Sequence, residues 1–158
     1  MLRLLAAPLI VLAFTGAAAG CGGGSSAPSV ADFRKEYAPI SAEVRGIGND
    51  VGAAVTAAKG KSDIELQAEF GDLADRANAI ATTLADADVP DDAQIKAART
   101  ELVTGVRKAA ADLDAISAAA TASDAAAAKA ATIRLARDSA GVREPRRKLD
   151  ELVLSSSN

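Results

Sequence analysis

The residues able to do chemistry in this chain are few. There is one thiol, Cys21, at the junction of an alanine run and a glycine run, "GAAAGCGGGSS". Four carboxylates crowd the segment "DADVPDD": Asp86, Asp88, Asp91 and Asp92. A basic run, "REPRRK", gathers Arg143, Arg146, Arg147 and Lys148 near the C-terminus. Histidine is absent, so neither an imidazole–thiolate zinc site nor a Ser-His-Asp triad can be built. The Glu-x-x-His pairs of di-iron bundles are excluded with it. Haem lacks its usual axial ligands, because the one methionine is Met1. Carboxylate pairs and Ser-Lys arrangements stay open, but no spacing singles one out. A calcium loop would need a turn glycine and a distal bidentate glutamate, and the aspartate cluster has neither. These exclusions predict a non-enzymatic protein without a cofactor.

The surroundings of the thiol give it a use. Met1, Leu2 and Arg3 precede an apolar run from Leu4 to Phe14, and small residues lead to Cys21. A charged start, a short apolar stretch and a small-residue exit make a secretory signal peptide. The run is too short for a membrane-spanning helix, which takes about 20 apolar residues. Ala18-Ala19-Gly20-Cys21 resembles the lipobox of bacterial lipoproteins, with Ala18 where leucine is usual. That resemblance implies cleavage after Gly20 and a diacylglyceryl group on Cys21. Two acyl chains make a stable anchor where one does not. The following "GGGSSAP" reads as a flexible tether. The domains are then a signal peptide over 1–20, a lipidated cysteine and tether over 21–28, and a folded unit over 29–158. With no second cysteine, no disulfide helps that unit.

The balance of charge and rings narrows the partners. The mature chain loses Arg3 from its 18 basic residues and keeps 21 acidic ones, which disfavours nucleic acid. Phe33, Tyr37 and Phe70 are its only aromatic residues, too few for base or sugar stacking.

Four pairs of residues mark helix starts, each a cap followed three residues later by an acidic or amide partner. They are Ser29 with Asp32, Ser62 with Glu65, Asp91 with Gln94, and Thr121 with Asp124. Behind each lies a 3-4 apolar seam of the kind found in supercoiled helices. The first runs Val30, Phe33, Tyr37, Ile40, Val44, Ile47, Val51, Ala54 and Ala58. The second runs Leu66, Phe70, Leu73, Ala77, Ile80, Leu84 and Ala87. The third runs Ile95, Ala98, Leu102, Val106, Ala109, Leu113 and Ile116. The fourth is Leu135, Ser139, Val142, Pro145, Leu149 and Leu152, and it slips near Gly141 and Pro145, where a kink or break is expected. Gly60 is expected to cap the first helix, and Val89-Pro90 to end the second.

The pattern predicts an all-α fold, an antiparallel up-down-up-down four-helix bundle. A three-helix bundle with a loosely packed fourth segment is the alternative. The layout is similar to that of the small alanine-rich helical lipoproteins common in high-GC Gram-positive bacteria. The resemblance implies a place on the extracytoplasmic face of the cell membrane and a binding or interaction role with an envelope protein partner. The other reading is a carrier of a small apolar or lipid ligand, with Ala54, Ala77, Ala98 and Ser139 leaving room inside. An even number of antiparallel helices would return the C-terminus to the membrane end. Arg143, Arg146, Arg147 and Lys148 are therefore candidate membrane-surface contacts, with a helix-end role and neutralisation by the acidic loop as the competing explanations.

Overall fold

The structure, a computed structural model, describes residues 27–155. The signal peptide, Gly20, Cys21 and most of the tether lie outside the described residues.

Ser29 adopts extended backbone, and its hydroxyl accepts the Asp32 N–H at 3.2 Å, starting α1 over Val30–Ala57. Phe33, Tyr37, Ile40, Val44, Ile47 and Ala54 form its buried stripe. Pro39 sits inside this helix, on its exposed side. There the Lys35 carbonyl that loses its N–H partner faces water. A 3-10 turn at Ala58–Gly60 ends α1. A capping box then opens α2 over Asp63–Asp86: the Ser62 hydroxyl accepts the Glu65 N–H, and the Glu65 carboxylate accepts the Ser62 N–H at 2.8 Å. This pair satisfies two of the backbone donors left over in a first turn.

The next two starts differ from the expected ones. α3, Ala93–Thr121, is capped by Asp92, whose carboxylate accepts from Gln94 and Ile95 N–H at 2.8 and 3.0 Å. Asp91 instead pairs with Lys96. α4, Ala125–Asp138, is capped by Asp124, which accepts the Ala127 N–H at 2.9 Å. Thr121 is the last residue of α3, and its hydroxyl donates back to the Ser117 carbonyl. Between them Ser123 takes a left-handed φ of 51°. The Ser123 and Asp124 N–H groups bond to the Ala120 and Ala119 carbonyls, the paired pattern that closes a helix end.

The fourth rod is broken into α4 and α5, Ala140–Val153, at Ser139, two residues before the expected site at Gly141. Two causes act there. The Ser139 hydroxyl donates to the Ala136 carbonyl at 2.7 Å, taking an acceptor that the helix would otherwise use. Pro145, inside α5, cannot donate to the Gly141 carbonyl one turn earlier, so its disturbance falls ahead of it.

Among the described residues the chain is an all-helical, four-helix bundle in which the fourth member is the α4–α5 pair. α3 lies against α2, α4 and α5, and α1 lies against α2 and α5. Polar contacts give the directions of several neighbours. Ser123 meets Asp63, and Ser117 meets the Gln67 carbonyl, at one end of α2 and α3; Arg99 reaches the Ala85 carbonyl at the other. Arg134 of α4 pairs with Asp112 of α3. Arg34 near the start of α1 donates to the Val153 carbonyl at the end of α5, at 2.7 Å. The α2–α3 contacts and the Arg34–Val153 contact join the start of one helix to the end of its neighbour. Because α3 packs against both α2 and the α4–α5 rod, its buried stripe is wider than one seam and takes in Val103, Ala110, Ala119 and Ala120 as well. The first turns of α4 are the reverse: Ala125, Ala126 and Ala127 are exposed. No helix among the described residues is long and apolar enough to cross a membrane.

Candidate functional site: a groove between the first and last helices

The bundle does not close evenly. Between the second half of α1 and the α4–α5 break lies a groove of about 650 Å³. Its α1 wall is Val44, Ile47, Val51 and Val55, with Gly48 and Gly52 among them. Leu135, Ala136, Ser139 and Val142 form the opposite wall, and Ala77, Val106, Ala109 and Leu113 the floor. The break at Ser139 falls within this wall.

The two glycines matter to its width. A Cβ added at Gly48 or Gly52 would meet nothing within 4 Å. Alanine there would favour the helix by about 1 kcal/mol per position. Leaving both positions without a side chain costs helix stability and opens the groove.

Three arginines stand at the groove: Arg45 from α1, and Arg143 and Arg146 from α5. Arg146 is committed. It donates to Asp150 Oδ2 at 2.9 Å, while Asp150 Oδ1 accepts from the Tyr37 hydroxyl at 2.8 Å and the Ser41 hydroxyl at 2.7 Å. Tyr37 and Ser41 are fully buried. This network joins α1 to α5 and satisfies the buried hydroxyls, as an interior polar group requires. Burial, and then the adjacent Asp150 carboxylate, hold the Tyr37 phenol well above its ordinary pKa, so it remains a donor.

The basic run that the sequence singles out is thus divided by the fold. Arg143 is exposed at the groove, and Arg146 is turned onto Asp150. Arg147 lies on the surface between Glu144 and Glu151, which raise its pKa, Glu144 most. Lys148 is exposed. Of the four, Arg143 and Lys148 have no ion pair among the described residues. The contact between Arg34 and Val153 brings the beginning of α1 and the end of α5 together. Near the start of α1 Asp32 pairs with Lys35, and ahead of α3 Asp91 pairs with Lys96.

Of the small residues considered as room for a ligand, Ala77 and Ser139 line the groove, whereas Ala54 and Ala98 lie in the core outside it. Arg45, Gly48 and Gly52 escaped the sequence reading. The spacing Val44, Gly48, Gly52 and Val55 places two glycines in line with apolar neighbours, the signal that could have marked a thinned helix face. Compared with models of protein families, with curated proteins and with solved structures, this chain matches none.

Proposed function

We propose that this chain is a non-enzymatic, lipid-anchored protein of the extracytoplasmic face of the cell membrane, whose bundle binds a small apolar molecule in the groove. The groove itself carries the reading. Its volume of about 650 Å³ lies within the range of roughly 300–1,000 Å³ typical of small-molecule sites. Its lining is mainly aliphatic, with Val44, Val51, Val55, Leu135 and Val142 along it, as small-molecule sites usually are.

The lining favours binding over reaction. Its hydroxyls, Thr132 and Ser139, are spent on the backbone carbonyls of Ala128 and Ala136. No carboxylate stands beside them to act as a base. The anchor at Cys21 would hold this groove near the lipid surface. It begins at Val44, fourteen residues into α1, or about 20 Å along the helix at 1.5 Å per residue.

Thermal unfolding followed by helical circular dichroism tests the reading against a panel of fatty acids, lysolipids, isoprenoids and sterols. A ligand that binds only the folded state at 100 times its Kd adds about 2.7 kcal/mol, a rise of several degrees in midpoint. A midpoint that no member of the panel moves would overturn it.

A further inference from the structure

The charged lining of the groove has one sign. It includes Arg45, Arg143 and Arg146 and no carboxylate, in a chain with more acidic than basic residues. Asp150 occupies Arg146. Arg45 and Arg143 have neither an ion pair nor a side-chain hydrogen bond among the described residues. One rises from the α1 wall and the other from the α5 wall, so two uncommitted guanidiniums border an apolar trough.

We propose that the groove takes a single-chain amphiphile with an anionic head, its acyl chain along Val44, Val51, Leu135 and Val142 and its carboxylate or phosphate against Arg45 and Arg143. The inference rests on the groove being an apolar-ligand site and adds the class of ligand. Guanidinium groups donate two parallel hydrogen bonds to carboxylate or phosphate, which suits either head. A groove of about 650 Å³ gives room for one acyl chain laid along it. Gly48 and Gly52 give the chain its width.

Photo-crosslinking of the full-length protein in its native membrane tests this with palmitate bearing a diazirine on its chain, and with the matching uncharged alcohol. The acid is expected to label peptides from residues 44–55 and 132–143. The double variant R45E/R143E should reduce that labelling about tenfold and leave the alcohol's weaker labelling unchanged. Gly52→Leu places a side chain in open groove space and should abolish labelling by both probes. Circular dichroism should show all variants as helical as the parent, since Arg45, Gly52 and Arg143 are exposed. Unlabelled palmitate and lysophosphatidic acid, added as competitors, separate a carboxylate head from a phosphate head. If acid and alcohol label the groove equally and the charge reversal alters neither, the anionic head is refuted while the groove stands as an apolar site. Labelling that avoids both groove segments with every probe overturns the ligand class and the site together.

Discussion

Gly105 of α3 lies so close to Gly141 of α5 that a Cβ on Gly105 would sit 2.1 Å from the Gly141 carbonyl oxygen. That carbonyl is the one whose helical partner would have been the N–H missing at Pro145. The pair is asymmetric, since a Cβ on Gly141 would meet nothing within 4 Å. Gly105→Ala should therefore destabilise the protein by at least about 2 kcal/mol through overpacking against backbone. Gly141→Ala should stabilise it by up to about 1 kcal/mol. Urea unfolding of the two variants checks the contrast, and equal effects would refute the close approach.

Tyr37 is the chain's only tyrosine, and there is no tryptophan, so its ionisation can be read directly from phenolate absorbance. Its pKa is raised in the folded state by burial and by Asp150. A raised folded pKa contributes stability that is complete below the unfolded value of about 10 and is lost as pH climbs toward the folded value. Phenolate absorbance is expected to stay absent through pH 10 and then to appear together with loss of helix. Asp150→Asn should bring its onset to lower pH while burial still keeps it above 10. Titration at the ordinary tyrosine pKa in the intact protein would contradict the network.

The two shifted caps are separable by substitution. Asp92→Ala should cost about 1 kcal/mol, the usual loss for an N-cap. Asp91→Ala removes only its surface ion pair with Lys96 and should cost less than about 0.5 kcal/mol. Asp124→Ala and Thr121→Ala should differ in the same sense. Thermal unfolding of the four variants decides the assignment.

The proposed anchoring rests on Cys21. With Cys21→Ser the protein should remain uncleaved and move from the detergent-rich to the aqueous or insoluble fraction on phase partitioning. Incorporation of labelled fatty acid should be lost. Identical fractionation of parent and variant would remove the anchor from the proposal.

The helices were legible because their signals are local. Ser29 and Ser62 each begin a helix with their partner three residues on, and the 3-4 spacing from Phe33 to Leu113 falls on buried positions except at Val51, Ala58, Leu66, Ala87 and Ala109, which are half-buried. The reading slipped where two capping residues stand close together, as at Asp91 and Asp92, because the pattern cannot choose between them. It also shifted at the break, since a proline acts on the turn before it and Ser139 supplies a second cause. The groove was not legible for a different reason. It depends on α1 and α4 failing to meet, and its arginines come from helices at opposite ends of the chain. No local spacing encodes that.

The link from Tyr37 and Ser41 to Asp150 also sets an order of assembly. The other helix contacts, α3 against α5 included, span shorter stretches of chain, and such pairings form faster. Only the docking of α5 on α1 must close a loop across nearly the whole protein, with the entropy that entails. As the chain emerges N-terminus first, the first three helices can pair before that wall arrives. The groove is thus the last part of the molecule to exist, and a chain ending before Asp150 would have helices but no site.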